Sequence, residues 1–435
     1  MLTTDVAIAA RNLKQHTKRN LYLGGALALV TMLLVLLNGL ADGIRATMLE
    51  SASILLSGHV NVGGFYKVTS GMAAPLVTDF EKVLAETKKN VPELDFATAR
   101  GRGYARAVSG SATMDLILGG IDIEREKGFR RVIEAVSGSL DELTKPGTIL
   151  IFADQAKRLD LAVGDMLTLS APTERGMYNT ADLRVAAIAK NIGMLSSMSA
   201  FVPNAALLDL YQLKPGTTGA LHLYLHDPAA APAVAARLRT ALAAAGWRVM
   251  DADPQPYWMK LMNKVTLEDW IGQKLDVTTW EDEMSFVKWL LAAVSGLTGL
   301  LISILMVIVV IGIMNTMWIA IRERTREIGT LRAIGMQRRR VLGLFVLEAA
   351  LLAVCGTAAG ALGGWLVASL INAAHIVMPE NVRVFLMSQE LSLVVRPSSL
   401  VVDILVIAGV TTLAALYPAR RAAGLRPITA IHHIG

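Results

Sequence analysis

The sequence predicts an α-helical membrane protein with four transmembrane helices and one large α+β domain outside the cytoplasm. Three observations predict it. The 435 residues are 53% hydrophobic and only 18% charged, with a mean hydropathy of +0.48, where an ordinary soluble domain carries about 25% charged residues. Four apolar runs are each long enough to cross a bilayer. Between the first and second runs, residues 43–285 lose the continuous apolar character and break into short alternating segments.

Residues 1–20 carry Arg11, Lys14, Lys18 and Arg19 beside a weak apolar stripe of Val6, Ala9, Ala10 and Leu13, the pattern of an amphipathic helix on the cytoplasmic surface. Residues 21–42 form the first span. Leu21–Leu40 holds no charge, is longer than a signal-peptide core and lacks a small-x-small cleavage site before Asp42, so it is expected to stay. Residues 43–285 are the α+β domain, with Ile44–Leu56 continuing the first helix as a stalk. His59–Val62, Thr98–Val108, Met114–Ile121, Thr148–Phe152, Met166–Leu169, Leu183–Ala189 and Leu221–His226 read as half-buried strands. Asp79–Thr87, Asp154–Leu159, Ala205–Leu213 and Ala231–Ala244 read as helices. Leu221–His226, Pro232–Ala245 and Trp247–Asp251 make a strand–helix–strand unit, with Gly246 closing the helix.

Residues 286–321 are the second span. Lys288 and Arg322 enclose 33 residues without a charge, more than the hydrocarbon core needs, so this helix tilts or projects. Trp289 and Trp318 stand near its ends, where interfacial aromatics collect. Residues 322–340 form a cytoplasmic segment, 341–372 the third span, 373–400 a short outer connection, 401–417 the fourth span and 418–435 a tail with Arg420, Arg421 and Arg426. Both termini inside satisfies the positive-inside bias at every loop. That bias accounts for the formal charge of +6, and with 6% aromatics and no basic patch interleaved with them, nucleic acid is not an expected partner. The single cysteine, Cys355, excludes an intramolecular disulfide.

No residue pattern for catalysis or metal binding stands out. The chain has no Gly-x-x-x-x-Gly-Lys-Ser/Thr, no Gly-x-Ser-x-Gly and no His-Glu-x-x-His. It is therefore expected to be no enzyme and to hold no metal or nucleotide itself. His222 and His226 share one face of a strand but stand about 13 Å apart, with no third ligand, so they read as the solvent face of an amphipathic strand. His432 and His433 have the same weakness. Glu348 is an acid well inside a span, about two turns from its cytoplasmic end, placed to snorkel or to meet the arginine cluster; Asp403 is interfacial. Gly356, Gly360 and Gly364 form a small-residue ladder that lets helices approach closely, within the chain or between subunits. Met194, Leu195, Met198 and Phe201 read as ordinary core, or as a lining for apolar cargo.

The most distinctive stretch is Ile321–Arg340. Seven arginines face only Glu323 and Glu327, and Ile328, Leu331 and Ile334 recur at helical spacing. A short amphipathic helix follows from this, either anchoring a cytoplasmic partner or lying on anionic headgroups.

The motif Gly312-Ile-Met-Asn-Thr-Met with Arg322-Glu-Arg-Thr-Arg-Glu-Ile-Gly-Thr-Leu-Arg-Ala-Ile-Gly335 resembles the permeases of the MacB/FtsX/LolC–LolE superfamily of ABC transporters, the type VII or mechanotransmission group. So do Leu347-Glu348 and the closing Tyr417-Pro-Ala-Arg-Arg-Ala-Ala-Gly-Leu-Arg-Pro427. Gly119-Gly-Ile-Asp122 and Leu159–Leu169 resemble the periplasmic core domain of these proteins. Thr279-Trp-Glu-Asp-Glu-Met-Ser-Phe-Val-Lys288, Leu37-Asn-Gly-Leu-Ala-Asp-Gly-Ile and Ser57-Gly-His-Val60 are most similar to the lipoprotein-releasing LolC and LolE, whereas Arg-Thr-Arg-Glu is closer to MacB.

The resemblance implies that Arg322, Glu323, Arg324, Arg326, Glu327, Ile328, Leu331, Arg332 and Ile334 form a coupling helix docking on a cytoplasmic ABC ATPase dimer, which binds the ATP and Mg. It implies a second permease copy or paralogue, and a lipoprotein cargo taken from the bacterial inner membrane for sorting to the outer membrane. Leu33, Leu36, Leu37, Leu40, Leu301, Ile304 and Leu305 would face that cargo and membrane lipid. A periplasmic chaperone or adaptor is a further implied partner, although the loop at Ser170–Asp182 is shorter than the chaperone-recruiting hairpin of LolC. A MacB-like efflux permease and an FtsX-like scaffold controlling cell-wall hydrolases are the alternatives.

Overall fold

The computed structural model describes residues 9, 11, 17–69, 71–173, 176–379, 382 and 390–424, with the backbone alone for Arg19, Met194, Leu195 and Phe286. Most of the expected amphipathic helix of residues 1–20, part of the outer connection and the tail beyond residue 424, including His432 and His433, lie outside the described residues. The chain divides into two compact units, one of Met1–Ala46, Leu291–Val377 and Glu390–Gly435, the other of Thr47–Leu290 and Met378–Gln389.

Along the chain the principal helices are α1 (Thr17–Leu55), α2 (Phe80–Asn90), α3 (Ala153–Leu159), α4 (Asn204–Tyr211), α5 (Ala231–Ala244), α6 (Ser285–Glu323), α7 (Thr325–Ala333), α8 (Arg338–Ala373) and α9 (Pro397–Ala423). The strands are β1 (Val60–Thr69), β2 (Met72–Ala74), β3 (Leu94–Val108), β4 (Thr113–Ile121), β5 (Ala135–Gly138), β6 (Thr148–Phe152), β7 (Met166–Pro172), β8 (Tyr178–Ala189), β9 (Ser199–Pro203), β10 (Ala220–Leu225) and β11 (Gly272–Thr279).

The first unit is helical. Segments of α1, α6, α8 and α9 are long and apolar enough to cross a membrane. They share a core in which Leu27, Ile313, Met317, Phe345 and Ala415 are buried. The stalk expected after the first span is the unbroken continuation of α1 to Leu55. The glycine ladder of α8 lies on α1. A methyl group built on Gly360 would stand 2.3 Å from the Ala28 carbonyl oxygen, and one on Gly356 3.0 Å from that of Gly24. One on Gly364 would meet Val35 Cβ at 2.9 Å. Backbones this close leave no room for a side chain.

The second unit holds the α+β fold, and β3 is its hinge strand. On one side the order β11–β1–β10–β3 makes an open antiparallel sheet, against which α5 packs at β1 and β11. On the other, the pairings β3–β4, β4–β9, β9–β6, β6–β8, β8–β7 and β7–β3 return to their start. Six strands therefore close into a barrel, which removes its sheet edges. Alternate residues fill it: Ala105 and Ala107, Leu116 and Leu118, Ile149 and Ile151, Leu167 and Leu169.

Two expectations are corrected here. Trp247–Asp251 is not a strand; it makes one parallel bridge, Val249 to Leu275. Pro254 and Pro256 follow at once and bring no amide to a ladder. His226 is exposed, but His222 is 1% exposed and not on a solvent face. Both faces of β10 are covered, because chain from residues 53–57, 122–129 and 256–283 folds over the side the alternating pattern assigns to water.

Candidate functional site

The arginine-rich segment builds its own geometry. The backbone leaves helical values at Arg324 (φ −105°, ψ 13°), which separates α6 from α7. At the far end Gly335 takes φ +99°, where a side chain would be strained, and the Met336 amide donates to the Leu331 carbonyl at 3.0 Å. Gln337 is extended, and α8 starts at Arg338. A nine-residue helix is thus held between two sharp turns.

Arg324 is the fastening. Its Nη1 donates to Glu348 Oε2 at 3.0 Å, its Nε to Glu327 Oε2 at 3.1 Å, and its guanidinium lies 5.7 Å from the Phe345 ring. Both Arg324 and Glu348 side chains are 12% exposed, so the pair is largely withdrawn from water. Glu348 neither snorkels nor stands alone. Arg332 Nη1 points at the Ala423 carbonyl (3.5 Å), toward the negative end of α9. Ile328 is buried against the core containing Val341 and Phe345.

The outward side of α7 differs. Arg322, Glu323, Arg326, Glu327 and Ile334 are exposed, and Ile334 retains 77% of its surface. Leu331 is intermediate in role, partly exposed and lining a groove of about 480 Å³ with Ile328, Met336, Leu344 and Phe345, and Arg324 and Glu348 belong to the same lining. Of the expected apolar stripe, Ile328 therefore holds α7 to α8, and Leu331 and Ile334 face outward. Spacing alone does not separate these roles, because the turn at Arg324 sets the rotation of α7.

The remaining site residues lie elsewhere. Leu33, Leu301 and Ile304 are exposed apolar positions on α1 and α6, and Leu36, Leu37, Leu40 and Leu305 are partly buried. Gly356, Gly360 and Gly364 are occupied in packing against α1. Among the described residues no group of three or more metal-ligating side chains comes together. Sequence reasoning missed a buried polar layer on the β11–β1–β10–β3 sheet, in which Arg100 pairs with Glu126 and Lys260 with Asp276. Burial raises the Asp276 carboxyl above its ordinary range in spite of Lys260.

Two family models match successive stretches of the chain. A family model for the MacB-like periplasmic core domain matches residues 25–241, and one for the FtsX-like permease C-terminal domain matches 299–427. The macrolide export ATP-binding/permease protein MacB of Syntrophobacter fumaroxidans is 30% identical over 160 residues, 35% of this chain and 20% of that protein. The ABC transporter permease YtrF of Bacillus subtilis is 32% identical over 130 residues, 29% of this chain and 30% of that protein. The match thus spans about a fifth of the MacB relative's own length. The crystal structure of the periplasmic region of MacB from Actinobacillus actinomycetemcomitans is 9% identical, with a TM-score of 0.31 over 53% of this chain and 92% of that one.

Proposed function

We propose that this chain, an ABC transporter permease of the MacB/FtsX type with a MacB-like periplasmic core domain and an FtsX-like permease domain, passes the movement of a separate ATPase to its α+β domain. The observation that carries the reading is α7 with its flanks: a short helix, fastened behind by Ile328 and the Arg324–Glu348 pair, with Arg326 exposed on it and Arg322 and Ile334 exposed just before and just after it. A helix fixed at its back and solvent-exposed at its front moves as one body with α8 when a partner pushes on it. In this reading α7 faces the cytoplasm of a bacterial inner-membrane protein and binds an ABC ATPase dimer. ATP and Mg reside on that ATPase, and residues 43–285 are periplasmic.

The cargo we propose is an acylated lipoprotein, drawn from the membrane by two permease subunits. The support is the lead-in Thr279–Lys288 and the apolar rows Leu33, Leu36, Leu37, Leu40 and Leu301, Ile304, Leu305. A second reading, export of a periplasmic substrate through an adaptor, is favoured by the matched relatives that bear the name MacB. Gentle purification from the native host with mass spectrometry of the associated molecules tests both. Stoichiometric triacylated lipoproteins support the first reading. An adaptor protein without lipoproteins overturns it for the second.

A further inference from the structure

β3 carries Arg100 and Arg102 on one face, about 7 Å apart along the strand, and both are buried. Arg100 donates from Nε and Nη2 to the Glu126 carboxylate at 2.7 and 2.8 Å, and from Nη1 to the Leu55 carbonyl at 3.0 Å. Leu55 is the last residue of α1. The guanidinium thus satisfies a carbonyl that no helical amide reaches and meets the negative end of the helix dipole. Tyr224 adds a second tie, its hydroxyl donating to the Ser53 carbonyl at 3.2 Å.

Arg102 is directed at the other long helix. Its Nη2 lies 3.5 Å from Glu283 Oε1, and its guanidinium stands 4.2 Å from the Tyr257 ring. Glu283 ends a helical turn, Trp280–Glu283, two residues before α6 begins. Glu283 also accepts from Thr278 Oγ1 at 2.7 Å and from the Tyr257 amide at 3.3 Å. Two glycines make the bed for Arg102. A methyl group on Gly219 would stand 2.7 Å from Arg102 Cβ, and one on Gly63 3.0 Å from Nη1. His222 lies in register between Asn61 and Thr98, with neither ring nitrogen hydrogen-bonded.

We propose that Arg100 and Arg102 are positioning residues that join the end of α1 to the start of α6 through β3, so that displacement of either helix end reaches the other. Both guanidiniums are buried with their carboxylate partners, and separating either pair would strand a charge away from water, so movement at Leu55 or Glu283 is carried by the strand and not lost at one ion pair. The use of such a joint rests on the coupling function proposed above; the joint itself is measurable without an ATPase.

Hydrogen exchange on the full chain in lipid nanodiscs tests it, comparing the parent with Arg102→Met/Glu283→Gln. This exchange of residues removes both charges and keeps an acceptor for Thr278 and Tyr257. The expected result is at least tenfold faster exchange at residues 53–58, which neither substitution touches, as well as at 279–284. Faster exchange confined to 279–284, or none, overturns the joint. If barrel amides such as Leu116 and Leu167 also lose protection, Arg102→Lys decides by the same criterion. Because no ATPase is present, failure here leaves α7 docking standing, and failure of docking leaves the joint standing.

Discussion

Arg324 Nη1 and Glu348 Oε2 stand 3.0 Å apart, across 24 residues of sequence, and tie the turn before α7 to the third turn of α8. The carboxylate also lines both the groove beneath α7 and a cavity of about 30 Å³ deeper in the helical unit, beside Leu27, Ile313 and Met317. This one residue therefore links the amphipathic helix to the packed core.

Removing one partner leaves a mostly desolvated charge. Glu348→Leu is expected to destabilise the helical unit by about 1–3 kcal/mol, at the low end of buried pairs because water reaches part of the site. Arg324→Met together with Glu348→Leu should recover most of that loss. Melting of the nanodisc-embedded chain measures both; equal loss in single and double variants would show that the pair itself is not what holds α7.

Close packing of α1 on α8 makes a sharper contrast. Gly360→Ala places a methyl group against the Ala28 carbonyl and is expected to cost about 1–3 kcal/mol through backbone displacement. Gly409→Ala on α9 meets nothing within 4 Å and should be neutral or slightly stabilising, since alanine is the better helix former. Melting temperatures of the two variants, measured side by side, separate a ladder that packs within the chain from one left open.

Acid should loosen the α+β domain through His222. Burial, with Arg100 and Arg102 nearby, holds its imidazole well below the ordinary value near 6.5. The unfolded chain takes up a proton as pH falls through that value and the folded chain does not. Stability is therefore full above about pH 6.5 and lost below it, approaching about 1.4 kcal/mol per pH unit. His222→Leu should remove this part of the slope between pH 7.5 and 5.5. A residual slope is expected from His59, which burial also lowers. An unchanged slope in the variant would assign the acid response to other groups.

Much of this was legible in the residues. The uncharged run between Lys288 and Arg322 became α6, and the alternation in Thr98–Val108 and Met114–Ile121 became β3 and β4. β6 was legible to the residue. β9 was not: it is buried on both faces as β6 is, but Ser-Ala-Phe-Val-Pro opens on two small residues and closes on a proline, so it lacks the apolar β-branched run of Thr-Ile-Leu-Ile-Phe that marks β6. β11 was hidden by Lys274, Asp276 and Thr278, whose partners Glu268, Lys260 and Glu283 come from other segments. For the same reason His222 read as a surface residue. In the arginine-rich segment the apolar spacing gave the helix, but only the turn at Arg324 and its bond to Glu348 decide that Ile328 faces in and Ile334 faces out.

The central claim is that the outward face of α7 binds an ATPase, and quantitative co-purification tests it most directly. The tagged chain is isolated in mild detergent from its own host beside two variants, and the ratio of Walker-motif ATPase to permease is measured. Ile334→Asp with Arg326→Glu changes exposed positions and is predicted to abolish the ATPase while membrane insertion and melting stay normal. Ile328→Asp buries a charge and is predicted to lower melting as well, by about 3 kcal/mol or more. Stoichiometric ATPase on the Ile334→Asp/Arg326→Glu variant, or none on the parent chain, would contradict the account.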